Sequence, residues 1–120
     1  MYEILIVGGG PAGLTAAIYA ARAGKHVAVL ERGSTGGQII SAPLVENYPG
    51  IPSVSGTELA RQMTEQACTF GAEIVYTEAV GLEKTPAGFR VLCTDGVREA
   101  KTVILATGAA HRSLGLAAED

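Results

Sequence analysis

The fold of this chain is decided by residues 2–24, which read YEILIVGGGPAGLTAAIYAARAG. Residues 3–7 are apolar except for Glu3 and are rich in β-branched side chains, a composition that predicts a strand buried inside a parallel sheet. An alanine-rich helix over residues 11–23 is predicted next, with Gly24 ending it in the left-handed conformation. A second strand over residues 26–31 would then close a βαβ unit with a right-handed crossover.

The glycines between this strand and this helix form the pattern G-x-G-x-x-G, in which each has a separate steric role. Gly8 permits the tight turn out of the strand, Gly10 lets a pyrophosphate approach the backbone, and Gly13 lets the helix pack on the strand. Pro11 suits the first helical turn, where free N–H groups and the helix dipole together form an anion site. Glycine-rich loops are common, but here a strand precedes the pattern and a helix follows it. We therefore predict a dinucleotide site rather than a structural turn.

An acidic residue supports this interpretation from the end of the second strand. Glu31 lies 18 residues after Gly13, at the position where a carboxylate can accept hydrogen bonds from ribose hydroxyls. An ordinary surface glutamate is the alternative, but the spacing favours the ribose role.

The segment between residues 32 and 55 is predicted to be a long irregular loop, because glycine and proline recur through it. A loop of this length inside a compact domain is usually functional or disordered. Its apolar and aromatic side chains argue against disorder, so we interpret it as one wall of a binding site.

A second helix is predicted over residues 56–70, because Ser55-Gly56-Thr57-Glu58 has the pattern of a capping box. Four side chains share one helical face and are expected to be core: Leu59, Met63, Ala67 and Phe70. Cys68 borders that face and is expected to pack as a small hydrophobic residue.

The last third of the chain predicts five strands. They cover residues 73–76, 79–84, 89–94, 97–100 and 102–106, with turn signals at Pro86-Ala87-Gly88 and Thr94-Asp95-Gly96. The segment over 102–106 is apolar enough for a fully buried parallel strand, and the strands before it form an antiparallel meander. The sequence therefore predicts an α/β fold of Rossmann-like type: a parallel sheet with flanking helices and an antiparallel β-meander. No partner signal is found for Ser113–Asp120.

Composition restricts the class of protein. The 120 residues suffice for one domain. The net charge of −3, without a basic run, argues against nucleic acid as a partner. The longest apolar runs have strand length, which argues against a membrane span, and Tyr2 opens directly into a strand, so we expect no signal peptide. Cys68 and Cys93 do not form C-x-x-C; we interpret them as reduced thiols of a cytosolic protein, with a structural disulfide or a metal site as the alternative.

Several segments together resemble one family. They are Gly8–Gly13, Glu31, Gly36-Gly37-Gln38, Val45-Glu46-Asn47-Tyr48-Pro49-Gly50, Phe70-Gly71-Ala72-Glu73, Ala106-Thr107-Gly108-Ala109 and Arg112-Ser113-Leu114-Gly115. In this order they resemble the low-molecular-weight thioredoxin reductases of the pyridine nucleotide-disulfide oxidoreductase family. The G-G-Q and E-N-Y-P-G segments are the specific part of the resemblance, which extends over essentially the whole chain.

The resemblance implies that the dinucleotide is FAD. It implies a pyrophosphate cradle at Gly8, Gly10, Pro11, Ala12 and Gly13, an adenosine ribose held by Glu31 beside Arg32, a flavin lined by Gly37, Gln38 and Asn47, an adenine near the Val80 backbone, and a pocket closed by Ala106, Thr107 and Gly108. It further implies an FAD-dependent oxidoreductase that passes electrons from NADPH through FAD to a disulfide. A thioredoxin-like protein partner, a homodimer and a cytoplasmic location follow from the same resemblance.

The sequence also departs from that family. It has no C-x-x-C, no second G-x-G-x-x-G, and no returning segment of the flavin domain. Ala117-Ala118-Glu119-Asp120 replaces the Pro-Gly-Glu that usually follows Leu-Gly. We therefore expect residues 1–120 to be the first part of an FAD-binding domain, without a catalytic residue or metal of its own and inactive in isolation. The alternatives are the flavin segment of a ferredoxin–NADP reductase-like relative that lacks the dithiol, and a stand-alone nucleotide-binding module without catalysis.

Overall fold

The computed structural model describes residues 1–108, which form one six-stranded sheet with helices on one face. The elements are β1 (Tyr2–Val7), α1 (Pro11–Arg22), β2 (Val27–Glu31), a 3-10 helix (Gly37–Ser41), α2 (Gly56–Thr69), β3 (Glu73–Tyr76), β4 (Ala79–Thr85), β5 (Gly88–Cys93) and β6 (Gly96–Leu105). Ala109, the Arg112–Gly115 part of the resemblance and the stretch Ser113–Asp120 lie outside the described residues.

The strand order is β3-β2-β1-β6-β5-β4. The first four strands pair in parallel, and β6, β5 and β4 pair antiparallel as the predicted meander. The predicted βαβ unit is therefore confirmed, with β1 and β2 adjacent and α1 connecting them.

Both faces of β1 and β2 are buried, because alternate side chains of these two strands enter two separate cores. On one face Ile6, Val27 and Val29 pack with the apolar side chains of α1 and α2. On the other face Leu5, Val7, Ala28 and Leu30 pack with residues of the meander that include Val91 and Cys93. Each fully buried aliphatic side chain of this kind contributes about 1.5–3 kcal/mol to folding. The meander therefore continues the sheet through β6 and also covers one face of β1 and β2.

The strand β6 differs from the sequence prediction in two ways. It is one strand of 10 residues rather than two strands separated near Lys101. Ala100 is the junction, because it pairs with Phe89 of β5 and with Tyr2 of β1. The prediction of full burial over 102–106 is wrong, since Ile104 is 38% exposed and Leu105 is 40% exposed. Beyond Ala100 the described part of the chain places only β1 beside this strand.

The second helix confirms most of its predicted face. Leu59, Met63 and Ala67 are buried, whereas Phe70 is 43% exposed and Cys68 is exposed. The expectation of core positions for these two residues is wrong. Phe70 follows the last helical residue, and its ring lies 5.6 Å from the Arg22 guanidinium carbon instead of in the core. Cys68 directly follows Ala67, so it is turned about 100° away from the buried face.

The capping box is formed on its backbone side. The Glu58 backbone N–H donates to the Ser55 hydroxyl at 3.1 Å. The Glu58 carboxylate itself accepts from Arg61 Nε at 2.7 Å, one turn further along the helix.

Candidate functional site

A cleft of about 990 Å³ opens where β1, β2 and β6 end, at the carboxyl edge of the parallel strands. Ligands of open α/β sheets bind at this edge, outside the strand ends. We call it the glycine-loop cleft. Its lining contains most of the residues that the sequence singled out: Gly8, Gly10, Pro11, Glu31, Arg32, Gly37, Gln38, Ala106, Thr107 and Gly108, together with Gly9 and Ile39.

A smaller cavity of about 370 Å³ adjoins this cleft. We call it the side cavity. It shares Gly8, Glu31, Arg32 and Thr107 with the glycine-loop cleft and adds Val7, Leu30, Thr77, Glu78 and Ala79. The two spaces therefore form one trough that passes the carboxylate of Glu31.

The three motif glycines differ in what requires them. A Cβ on Gly13 would lie 1.9 Å from the Gly8 carbonyl oxygen, and a Cβ on Gly8, whose φ is +112°, would lie 2.1 Å from the Ala106 carbonyl oxygen. The fold itself therefore excludes side chains at both positions. A Cβ on Gly10 would have no neighbour nearer than 3.8 Å. The protein thus leaves room beside Gly10 that a ligand can use.

The first turn of α1 provides donors at this open position. Gly10 is the N-cap without a capping side chain, Pro11 is the first helical residue, and the first turn contains no acidic residue. Ala12 is exposed in this turn and Gly13 is buried. Free backbone N–H groups at the start of a 12-residue helix attract anions such as phosphate.

The Glu31 carboxylate is held in place by two backbone amides. Gly9 N–H donates to Oε1 at 2.8 Å and Gly33 N–H donates to Oε2 at 2.7 Å. A carboxylate oxygen has a second acceptor site, so both oxygens can still accept from a hydroxyl of a bound molecule. The sequence predicted an acid at this place but not that it also anchors the glycine loop.

The long loop reaches the cleft through its own paired glycines. Gly36 has a φ of +101°, and its N–H donates to the Gly9 carbonyl at 2.6 Å. This bond holds the 3-10 helix against the glycine loop and brings Gly37 and Gln38 to the cleft. Ile39 packs on the helical core, which anchors the other side of the turn. Of the loop that was predicted to form a wall, residues 37–39 line the cleft.

Four residues singled out by the resemblance lie outside the cleft lining: Ala12 and Gly13, which belong to the first turn of α1, and Asn47 and Val80. Asn47 is exposed in the segment Glu46–Pro52, which lines a separate surface pocket and is closed by the bridges Val45↔Val54 and Tyr48↔Ile51. Val80 is 43% exposed at a register shift of β4 between Ala79 and Gly81. Its neighbour Ala79, rather than Val80, lines the side cavity.

The wall formed by Thr77–Ala79 was missed by sequence reasoning. Thr77 is only 7% exposed, and its N–H donates to the Glu31 carbonyl at 3.0 Å. Arg32 Nη1 lies 3.5 Å from Glu78 Oε2 across the side cavity, whose lining contains both residues. The available signal was the polar pair Thr77-Glu78 directly after a strand of the parallel sheet, at the sheet edge where ligands bind.

Both cysteines are free thiols, as the sequence predicted. Cys93 is buried in β5, and burial is the main reason why the pKa of its thiol is raised. Cys68 is exposed on α2. Residues 1–108 contain no group of three His, Cys, Asp or Glu side chains placed to hold a metal ion. Neither helix in that range combines the length and apolar character that a membrane crossing needs.

Comparison with known proteins agrees with the fold. The thioredoxin reductase of Treponema pallidum is 44% identical over 120 residues, which are 99% of this chain and 39% of that protein. The thioredoxin reductase of Listeria monocytogenes is 40% identical over 120 residues, which are 100% of this chain and 38% of that protein. The crystal structure of thioredoxin reductase from Streptococcus pyogenes matches with a TM-score of 0.89 and 48% identity, covering 96% of this chain and 38% of that one.

The chain therefore spans less than half the length of the curated relatives that it matches. The sequence profile of the family described as "Pyridine nucleotide-disulphide oxidoreductase" matches residues 2–120. The predicted Rossmann-like α/β fold is confirmed by the six-stranded sheet and by these structures. This chain belongs to the pyridine nucleotide-disulphide oxidoreductase family.

Proposed function

We propose that this chain is the first FAD-binding part of a flavin-dependent NADPH:disulfide oxidoreductase of the thioredoxin reductase type. The observation that carries the proposal is the open space at Gly10. The fold does not need a glycine there, since the nearest atom to an added Cβ is 3.8 Å away. A glycine beside the free end of α1 is what close approach of a pyrophosphate requires.

The rest of the trough fits the two halves of FAD. The pyrophosphate would lie on Gly10, Pro11, Ala12 and Gly13, with Gly8 forming the turn below it. Glu31 and Arg32 would hold the adenosine ribose, and the side cavity, up to the bulge at Val80, would take the adenine. Gly37, Gln38 and Asn47 would line the flavin, and Ala106, Thr107 and Gly108 would close the pocket.

The charge of Glu31 favours FAD over NADP at this site. Its carboxylate can accept from ribose hydroxyls but would repel a 2′-phosphate. Bound FAD would supply the redox chemistry by taking electrons from NADPH and passing them to a disulfide. The part played by these residues is to bind, orient and shield the cofactor.

The remaining steps are assigned to parts of the enzyme beyond these residues. This sequence contains one G-x-G-x-x-G and no C-x-x-C, so we propose that the NADPH domain, the dithiol and the returning flavin segment are supplied by the longer protein. A thioredoxin-like protein would be the electron acceptor of a cytoplasmic homodimer that binds neither nucleic acid nor membrane. The relatives named above are thioredoxin reductases, which supports this choice.

The proposal is tested by a single added side chain at the open position. Gly10→Val should abolish binding of FAD and of ADP to the purified chain, measured by calorimetry, while the circular dichroism spectrum stays unchanged. Ala23→Val is the matched control, because residue 23 ends the same helix on the exposed side. Full affinity of the Gly10→Val chain would overturn the site. Equal affinity for FAD and ADP would instead favour a stand-alone nucleotide-binding module.

We expect the 120-residue chain alone not to oxidise NADPH with a dye or thioredoxin as acceptor. Hydride transfer needs the nicotinamide fixed about 3–3.5 Å from the flavin, and the sequence contains no second dinucleotide motif to hold it. The assay compares NADPH consumption with an intact reductase at equal flavin content. Comparable turnover would reveal a nicotinamide site within this chain.

A further inference from the structure

A hydrogen-bonded cluster of Thr77, Asp95 and Arg98 lies beside the trough, and Thr77 is its only member in the trough lining. The Thr77 hydroxyl donates to Asp95 Oδ1 at 2.7 Å, across 18 residues of sequence. Arg98 donates two hydrogen bonds to the same carboxylate, from Nη1 to Oδ1 at 2.7 Å and from Nη2 to Oδ2 at 3.2 Å. The Arg98 guanidinium, followed by the Thr77 hydroxyl, holds the pKa of the Asp95 carboxyl well below its usual value. The carboxylate is therefore charged throughout the physiological range.

The cluster connects two parts of the fold. Asp95 and Arg98 lie at the turn between β5 and β6 and at the start of β6, whereas Thr77 follows β3. Asp95 and Arg98 are three residues apart, so the ion pair between them alone would be a local contact that stabilises only the β5–β6 hairpin. The bond to Thr77 is different, because it joins the meander to the wall of the side cavity.

The wall itself is anchored at both ends by backbone hydrogen bonds. Thr77 N–H donates to the Glu31 carbonyl at 3.0 Å, and Thr94 N–H donates to the Glu78 carbonyl at 2.9 Å. The first bond places the wall relative to Glu31, and the second ties it to the residue next to Asp95. The Thr77 hydroxyl adds a side-chain bond at a position that is only 7% exposed. Loss of that bond would leave the nearly buried hydroxyl only the Thr94 hydroxyl, 3.5 Å away, and improving that long contact moves the backbone or costs stability.

We propose that Asp95, held by Arg98, is a positioning residue for the nucleotide site, acting through Thr77. It fixes the Thr77–Ala79 wall at the distance from Glu31 that the adenosine part of an adenine dinucleotide requires. This inference rests on the proposed function, since it assigns the adenosine half of the cofactor to the side cavity. Asp95 is not in the lining of the trough but is hydrogen-bonded to Thr77, which is, so its effect on binding is transmitted through Thr77.

The test measures ADP affinity of the full chain by calorimetry, because ADP probes the adenosine half without the flavin. Thr77→Val, which keeps the shape and removes the donor, should weaken ADP binding about tenfold. Thr77→Ser, which restores the donor, should stay within about twofold of the unmodified chain. Asp95→Ala should match Thr77→Val, and the double variant should be no weaker than either single one, since both remove the same bond. Asp95→Gly replaces Asp95→Ala if the latter does not fold, because it too lacks an acceptor for the Thr77 hydroxyl and glycine suits a turn.

A matched arginine provides the control for charge and stability. Arg61 binds Glu58 and Glu65 on the exposed face of α2 as Arg98 binds Asp95. Arg98→Gln should weaken ADP binding severalfold, whereas Arg61→Gln should leave it unchanged. Hydrogen exchange at the amides of residues 77–79 should speed up in Thr77→Val, Asp95→Ala and Arg98→Gln, but not in Arg61→Gln.

The outcomes separate this inference from the function on which it rests. Failure of the unmodified chain to bind either ADP or FAD would overturn both. If the unmodified chain binds ADP and both Thr77→Val and Asp95→Ala bind it within about twofold of that affinity, the positioning role alone is overturned. This holds even if both variants have lowered melting temperatures. Additive losses in the double variant would show that Asp95 does not act through Thr77.

Discussion

β1 and the second half of β6 are neighbours in one sheet with the same apolar character, yet they differ in burial. Leu5 and Ile6 of β1 are 0% exposed, whereas Ile104 and Leu105 of β6 are 38% and 40% exposed. β1 has a strand on each side, α1 on one face and the meander on the other. In the described part of the chain, β6 beyond Ala100 pairs with β1 only. The burial of a strand is decided by the neighbours it receives and not by its own composition.

Removing the helix layer should make β1 as exposed as the end of β6. Gly13 lets α1 pack closely on β1, because an added Cβ would lie 1.9 Å from the Gly8 carbonyl oxygen and 3.3 Å from Ile6 Cγ2. We expect Gly13→Val to destabilise the chain by more than about 3 kcal/mol, enough to unfold a marginal domain. Thermal unfolding followed by circular dichroism measures the effect, and Gly10→Ala, which has room for its Cβ, is the matched control. A Gly13→Val chain that melts like Gly10→Ala would show that α1 is not seated by this contact.

The same truncation in the two strands measures the difference directly. Leu5→Ala should cost about 2–5 kcal/mol, since it empties a fully buried site between the sheet and the meander. Leu105→Ala should cost about 1 kcal/mol or less, because much of that side chain is already in water. Urea unfolding of both variants gives the comparison. Equal losses would mean that another part of the chain covers β6.

The β1–α1–β2 unit could be predicted from sequence to within one residue at each end, because its signals are local. Apolar strands, motif glycines and the glycine after α1 act within a few positions of one another, and Glu31 follows at a fixed distance. The continuous course of β6 could not be predicted in this way. The continuity at Ala100 depends on pairing with both Phe89 and Tyr2, far apart in sequence.

The residues of the site also divide into those that a local sequence pattern predicts and those that depend on contacts distant in sequence. Gly8, Gly10, Gly13 and Glu31 were found because one motif contains them. Thr77 was missed, because its position depends on contacts with Glu31 and Asp95, which no local pattern records. The exposure of Phe70 also depends on how far α2 extends beyond its last buried residue.

The exposed end of β6 should make the chain associate. Apolar side chains on an unpaired strand edge promote pairing between copies. We expect Ile104→Lys to shift the chain toward the monomer in analytical ultracentrifugation at high concentration, with little change in melting temperature. Gln62→Lys, at a polar and exposed position of α2, adds a charge away from this edge; it is the control and should leave association unchanged. Association that persists in Ile104→Lys would place the contact elsewhere.

The smallest expected effect concerns the core beneath the meander, where Cys93 packs with β1 and β2. Burial raises the pKa of the Cys93 thiol above its ordinary value of 9.0 in the folded chain. The folded state therefore holds the proton more tightly than the unfolded state, so stability is full below the ordinary thiol pKa and falls as the pH rises through the raised one. Melting temperatures measured from neutral to strongly alkaline pH should decline more steeply for the unmodified chain than for Cys93→Val. The pKa of Tyr2 is also raised, mainly by burial, but that contribution is common to both chains and cancels in the comparison. Parallel curves for the two chains would show that the thiol becomes ionised without cost, and hence that the meander does not close this core.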